Sequence, residues 1–162
     1  MEFKKGYYSS PIGWLEIKTD NESLISLSFL EEKEVPNKKP AKSELINTIL
    51  KQLDEYFNHK RKIFDFPIHL EGTEFQLKVW EKVQSVPFGK TTTYLNIAVQ
   101  LGSTKNVRAV GSANGKNPVP IIVPCHRVIG ENKELVGYAG GLWRKKWLLE
   151  HESEEKQLTL SF

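Results

Sequence analysis

Between residues 14 and 18 apolar and polar side chains alternate, Trp14-Leu15-Glu16-Ile17-Lys18, which is the period of a half-buried strand. Phe3 to Tyr8 before it, and Leu24 to Leu30 after the turn at Asp20-Asn21, also read as strands, so a small antiparallel sheet is predicted. The next stretch, EEKEVPNKKPAK, is charged, contains Pro36 and Pro40 and has no period, which makes it a loop. The spacing then becomes helical. Leu45, Ile46, Ile49, Leu50, Leu53, Tyr56 and Phe57 follow Ser43, a suitable N-cap. Residues 62–68, KIFDFPI, are expected to add a strand that Pro67 ends.

A boundary between Pro67 and Gly72 separates this region from a mainly helical remainder. The chain is therefore expected to be α+β, with an N-terminal α/β domain over 1–70 and a C-terminal domain over 71–162. Thr73 and Gln76 form a capping-box signature ahead of Phe75, Val79, Trp80 and Val83, and Pro87 stops that helix. Thr92 or Thr93 caps the next one, whose inner face is expected at Leu95, Ala98 and Val99 and which ends at Gly102. Ser103 can cap a further helix over about 104–113, closed by Asn114-Gly115, so the pair is a helix-turn-helix candidate.

In the second of these helices Val107 and Val110 can face a core while Lys105, Arg108 and Ser112 share another side. Ala109, Gly111 and Ala113 keep it slim enough to approach a narrow groove, with phosphate and shape contacts favoured over base reading. A helical hairpin inside a core fits this pattern equally well. Beyond it, Asn117 to Pro124 holds three prolines in eight residues and is expected to be a stiff extended connector. A Gly-rich loop over 137–141 and a last helix over 142–151 complete the chain.

Composition narrows the class. At 162 residues and 39% hydrophobic content the chain can bury a core, and disorder is not expected. One cysteine excludes an internal disulfide and a multi-thiolate zinc site, and suits a reducing compartment. The N-terminus lacks the apolar core of a signal peptide, and no apolar run approaches the ~18 residues that span a bilayer. A soluble protein is expected, cytoplasmic, or nuclear in a eukaryote. The net charge of +3 is unevenly spread: Pro87 to Trp147 carries nine Lys or Arg against Glu131 and Glu134, a net of +7, which leaves −4 elsewhere. A polyanion is the natural partner for that segment, although a solvated basic surface looks the same by charge alone.

The sole thiol lies inside this basic segment, in Pro124-Cys125-His126-Arg127-Val128-Ile129. Cysteine attacks as thiolate, and an adjacent base enlarges that fraction. Neighbouring residues on a strand point to opposite faces, so His126 can serve Cys125 only if the chain turns there. By itself the pair fits a nucleophile or a small buried hydrophobe.

Together GTEFQLKVW, VPFGKTTTYLNIA, VRAVGSANGKNPVPIIVPCHRVIG, LVGYAGG and LLEHE span nearly all of residues 72–152. In this order they resemble the O6-alkylguanine-DNA alkyltransferases, also called methylated-DNA–protein-cysteine methyltransferases. The resemblance implies a ribonuclease-H-like sheet-and-helix domain followed by a winged-helix domain. It also implies a repair reaction in which O6-alkylguanine is flipped out of duplex DNA and its alkyl group moves irreversibly to Cys125, once per molecule. Cys125 matches the acceptor, His126 the base acting through a water, and Glu152 the carboxylate orienting that imidazole. Asn117 matches an asparagine bracing the thiol segment, and Tyr94 the tyrosine that protonates or hydrogen-bonds N3 of the departing guanine. Arg108 matches an arginine finger that replaces the flipped base, while Ser103, Thr104 and Lys105 match the backbone-contacting turn. Asn114, Val128, Tyr138 and Ala139 match the walls of the guanine pocket; some relatives carry serine at the position of Ala139. Arg127 is expected to tie the site to an acid rather than touch DNA. No cofactor and no metal is implied, since the cysteines that hold zinc in some relatives are missing. The expected partner is double-stranded DNA containing alkylated guanine, and possible O4-alkylthymine activity is left open; no membrane is involved and the protein is expected to act as a monomer.

Two relatives of this reading lack transfer: an alkyltransferase-like lesion-binding protein, which replaces the acceptor thiol, and a winged-helix regulator. Cys125 argues against the former. A cysteine hydrolase with an oxyanion hole finds no support in the sequence.

Overall fold

The structure, a computed structural model, describes residues 2–39, 41–138 and 140–153. The chain divides into two compact units, Met1–Leu70 and Glu71–Phe162.

In the first unit β1 (Lys4–Ser10), β2 (Gly13–Thr19) and β3 (Leu24–Leu30) form an antiparallel sheet with β2 in the middle. The alternation along β2 is explained by its burial: Leu15, Ile17 and Thr19 are inside and their neighbours are half-buried. Asp20 makes the turn into β3, its carboxylate accepting from the amides of Glu22 and Ser23. Helix α1 (Glu44–Phe57) covers one face of the sheet with Ile46, Ile49, Leu53, Tyr56 and Phe57, and the Ser43 hydroxyl caps it by accepting from Ile46 N–H at 3.2 Å. Gly6 is the point of closest approach: a Cβ there would lie 2.6 Å from Ile46 Cγ2. The strand expected over 62–68 does not form. The segment meets the sheet through one bridge, Leu24 with Ile68, because Pro67 has no N–H to extend a ladder.

The second unit is helical around a two-strand patch. Helix α2 (Glu74–Gln84) starts with the capping box of Thr73 and Gln76 and buries Val79, Trp80 and Val83. The short strand β4 (Thr92–Thr93) leads into α3 (Tyr94–Gln100). α3 buries Ile97 and Ala98, whereas Val99, expected on its inner face, is 53% exposed: the helix is rotated so that Ile97, not Val99, points inward. Gly102, at φ +105°, and Ser103, whose side chain accepts from Lys105 N–H, make the tight turn. The expected helix over 104–113 begins with a 3₁₀ turn, Thr104–Asn106, and α4 proper runs over Val107–Gly115. Val110, Ala113 and Asn114 face inward, and Trp80 donates its indole N–H to the Ala113 carbonyl at 2.8 Å, fixing α4 on α2. Strand β5 (Val128–Ile129) pairs in parallel with β4, and α5 (Leu142–Glu152) closes the unit. Among the described residues no helix is long and apolar enough to cross a membrane.

Candidate active site

The segment before the thiol is not the extended connector its prolines suggest. Val123 N–H returns to the Val119 carbonyl at 3.0 Å and Ile121 takes φ +75°, a conformation that costs a β-branched residue roughly 1–3 kcal/mol. Asn117 holds the turn from inside: its amide NH₂ donates to the Val123 carbonyl at 2.7 Å and its oxygen accepts from Val119 N–H at 3.0 Å. The chain turns again at once, Cys125–Arg127 forming a 3₁₀ turn with Arg127 N–H on the Pro124 carbonyl. This second turn buries three consecutive side chains and lets two of them, His126 and Arg127, reach one acid, which a strand would forbid.

All three are buried, Cys125 at 5%, His126 at 0% and Arg127 at 7% exposure. Glu152, on the last turn of α5, receives two of them. His126 Nε2 lies 2.8 Å from Glu152 Oε2, and Arg127 donates Nε to Oε1 at 2.7 Å and Nη2 to Oε2 at 3.0 Å. The remaining Arg127 arm donates to the Val86 carbonyl at 2.7 Å, just beyond α2. Burial alone would push the Glu152 carboxyl up, yet the His126 ring and the Arg127 guanidinium outweigh it and hold the group well below the ordinary carboxylate range. Since the carboxylate is ionised, Nε2 must carry the imidazole proton. In the neutral ring the lone pair is then on Nδ1, which is buried and has no hydrogen-bond partner among the described residues.

Burial pushes the Cys125 thiol up to about 11, against the opposing pull of the Asn117 side chain and the Lys145 charge. The resting sulfur is therefore a thiol that needs a base. Asn114, from α4, donates to the Cys125 carbonyl at 3.2 Å, and its own side-chain oxygen is buried without a partner among the described residues. The β4–β5 pairing sets Thr93 against Ile129, and so starts α3 beside the thiol turn. Tyr94, the first residue of α3, donates its hydroxyl to the Val136 carbonyl at 2.8 Å. Burial raises its phenol to about 12, so it is a proton donor at neutral pH. Val128 is fully buried next to the turn, and Tyr138 is a phenol raised well above its usual value by burial and by the charges of Cys125 and Glu152.

Cys125, His126, Glu152, Asn117, Asn114, Tyr94, Val128 and Tyr138 are thus gathered in one region. Arg108, Thr104 and Lys105 lie outside it, exposed on α4 and the turn before it, with Ser103 half-buried as that turn's cap. Ala139 falls outside the described residues. Among the described residues no cluster of three His, Cys, Asp or Glu is arranged to hold a metal.

The family model described as the 6-O-methylguanine DNA methyltransferase DNA-binding domain matches residues 74–154, and that of the ribonuclease-like domain matches residues 3–70. The chain belongs to the 6-O-methylguanine DNA methyltransferase family. A methylated-DNA–protein-cysteine methyltransferase of Methanosarcina acetivorans is 45% identical over 148 residues, covering 90% of this chain and 95% of its own. The corresponding protein of Haemophilus influenzae is 39% identical over 90% of this chain and 84% of its own. Among solved structures, the Mycobacterium tuberculosis O6-methylguanine methyltransferase superposes with a TM-score of 0.82 at 40% identity, covering 93% of each chain. The M. tuberculosis OGT in complex with DNA gives 0.82 at 40% identity, covering 94% of this chain and 92% of that one.

For this member of the 6-O-methylguanine DNA methyltransferase family, sequence reasoning passed over one residue of the site. Lys145 counts as surface charge in the sequence, yet it is fully buried and donates to Tyr94. Its signal was helical spacing: Lys145, Leu148, Leu149 and Glu152 are the four buried positions of α5, at i, i+3, i+4 and i+7.

Proposed function

We propose that this protein repairs O6-alkylguanine in double-stranded DNA by moving the alkyl group to Cys125, once per molecule. The observation that carries this reading is a buried thiol, with no standing means of ionisation, followed in the same turn by an imidazole whose Nε2 is held 2.8 Å from Glu152. In the reaction His126 Nδ1, through a water, takes the thiol proton and Glu152 balances the resulting imidazolium. The sulfur attacks the O6-alkyl carbon in line. An S–C bond forms, the O6–C bond breaks, and its electron pair passes to the guanine. The leaving base gains a proton at N3 from Tyr94. The product is a thioether with no leaving group good enough to return, so a second cycle does not occur. Asn117 and Asn114 hold the thiol turn, the latter through the Cys125 carbonyl, and Val128 and Tyr138 wall the base.

Duplex DNA hides O6 in the stack, and extrusion costs a few kcal/mol. Arg108, exposed on slim α4, is the finger that fills the gap, with Ser103, Thr104 and Lys105 on the phosphates. Arg108→Ala is expected to slow repair in duplex by roughly tenfold to a hundredfold, the equivalent of about 1.4–2.8 kcal/mol. Repair of the same lesion in a single strand should stay within about twofold. Equal rates on duplex for variant and parent would remove the finger role. The reading as a whole is tested by mixing the protein with duplex carrying methyl-labelled O6-methylguanine. Label is expected to move to protein until one equivalent is reached and then stop; label that stays on DNA while the duplex is bound refutes transfer.

A further inference from the structure

Lys145 is 0% exposed, and burying an ammonium is unfavourable unless its donors are satisfied. Nζ donates to the Val136 carbonyl at 2.9 Å, to the Tyr94 hydroxyl oxygen at 3.2 Å and to the Gly137 carbonyl at 3.4 Å. None of these three partners is an acid, so no ion pair among the described residues repays the burial. A methionine would fill the same space without the penalty. The position of the charge must therefore be explained by what it touches.

The Val136 carbonyl is the key atom. It accepts from both Tyr94 and Lys145, which uses its two lone pairs. A phenol has a single hydrogen, and in the resting site that hydrogen is committed to Val136. Tyr94 can give its proton to a base only by leaving this carbonyl. Without a second donor the departure would leave that backbone acceptor with no protein partner, a loss of ~0.5–1.5 kcal/mol.

We infer that Lys145 is the positioning residue that releases Tyr94 for proton transfer: it keeps the Val136 carbonyl satisfied while the hydroxyl turns to the departing guanine, and its ammonium stabilises the phenol oxygen as the proton leaves. The step breaks the Tyr94 O–H bond and forms N3–H on the base; the electron pair stays on the phenol oxygen, where Lys145 already donates, and solvent reprotonates it after the product leaves. Burial draws the lysine down to about 8, against the upward pull of Cys125 once it is a thiolate, which leaves it mostly charged at neutral pH. The inference rests on the reading of Tyr94 as donor to N3.

The test uses two duplexes, one with O6-methylguanine and one with its 3-deaza analogue, in which N3 is replaced by C–H. Wild type should transfer both methyl groups and be slower on the analogue, which establishes the Tyr94 reading independently. Lys145→Met is expected to slow transfer from O6-methylguanine by at least about tenfold, yet to change the analogue's rate less than about twofold, with DNA affinity retained. Tyr94→Phe should show the same pattern, and the double variant should be no slower than Tyr94→Phe alone. Equal slowing on both duplexes, or additive losses in the double variant, would overturn the role of Lys145 and leave Tyr94 untouched. A wild type that does not distinguish the duplexes would overturn both. Should Lys145→Met not fold, Lys145→Gln keeps an N–H donor without the charge, and the same selective loss is expected of it.

Discussion

Glu152→Ala is expected to remove about 3–5 kcal/mol of stability and to abolish methyl transfer. Two buried side chains, His126 and Arg127, lose their shared partner, and breaking a buried charge pair from one side leaves the other charge uncompensated. In a unit of this size each kcal/mol moves the melting temperature by about 4–8 °C, so a fall well beyond 10 °C should appear in calorimetry. The paired replacement Arg127→Met with Glu152→Met separates the two effects. It removes both buried charges together and should recover much of the stability while transfer stays lost, because His126 still lacks its carboxylate. Recovery of transfer in that double variant would take Glu152 out of the mechanism.

The same carboxylate sets the acid limit of the fold. A group held below its unfolded value contributes stability that is fully present above the unfolded carboxyl range, near ~4.3, and is lost as pH falls from there toward the folded value. Melting temperature should therefore decline below about pH 4.5 in the parent, and decline less in the Met/Met double variant.

Cys125→Ala is expected to end transfer completely and to leave binding of O6-methylguanine DNA intact. The thiol takes no part in the salt-bridge network, and its removal deletes one buried atom, a change of about 1 kcal/mol at most in a packed site. The proposed DNA contacts are on α4 and the turn before it, whose exposed face the substitution leaves in place. Cys125→Ser should be equally inactive: a buried hydroxyl ionises far less readily than a thiol, and its oxygen is a poorer nucleophile toward carbon. Residual transfer by either variant, measured as label on protein, would mean that another atom accepts the methyl group.

How far the sequence could be read depends on what each element relies on. The strands of the N-terminal sheet and α1 follow from local period and caps, which are short-range properties visible in Trp14–Lys18 and Ser43. The capping box at Thr73 and the turn at Gly102-Ser103 were legible for the same reason. Where tertiary packing decides, period alone misleads. Val99 and Ile97 are equally apolar, and only the packing of α3 chooses Ile97. The turn at Val119–Val123 was hidden because prolines imply extension, whereas the bonds that fold the segment come from the Asn117 side chain. Glu150 and Glu152 differ by two residues and nothing in type. The first is exposed and pairs loosely with Lys146 at 3.8 Å; the second anchors the site. Resemblance to a family singled out Glu152, and helical spacing could have singled out Lys145 with it.

Whether Cys125 itself becomes the thioether is read most directly by peptide mass mapping after reaction with excess O6-methylguanine duplex. One added methyl group per chain is expected, on the peptide containing Cys125, with the amount of repaired DNA equal to the amount of protein. Methyl on any other residue, an unmodified Cys125 after repair, or more repaired DNA than protein would contradict it.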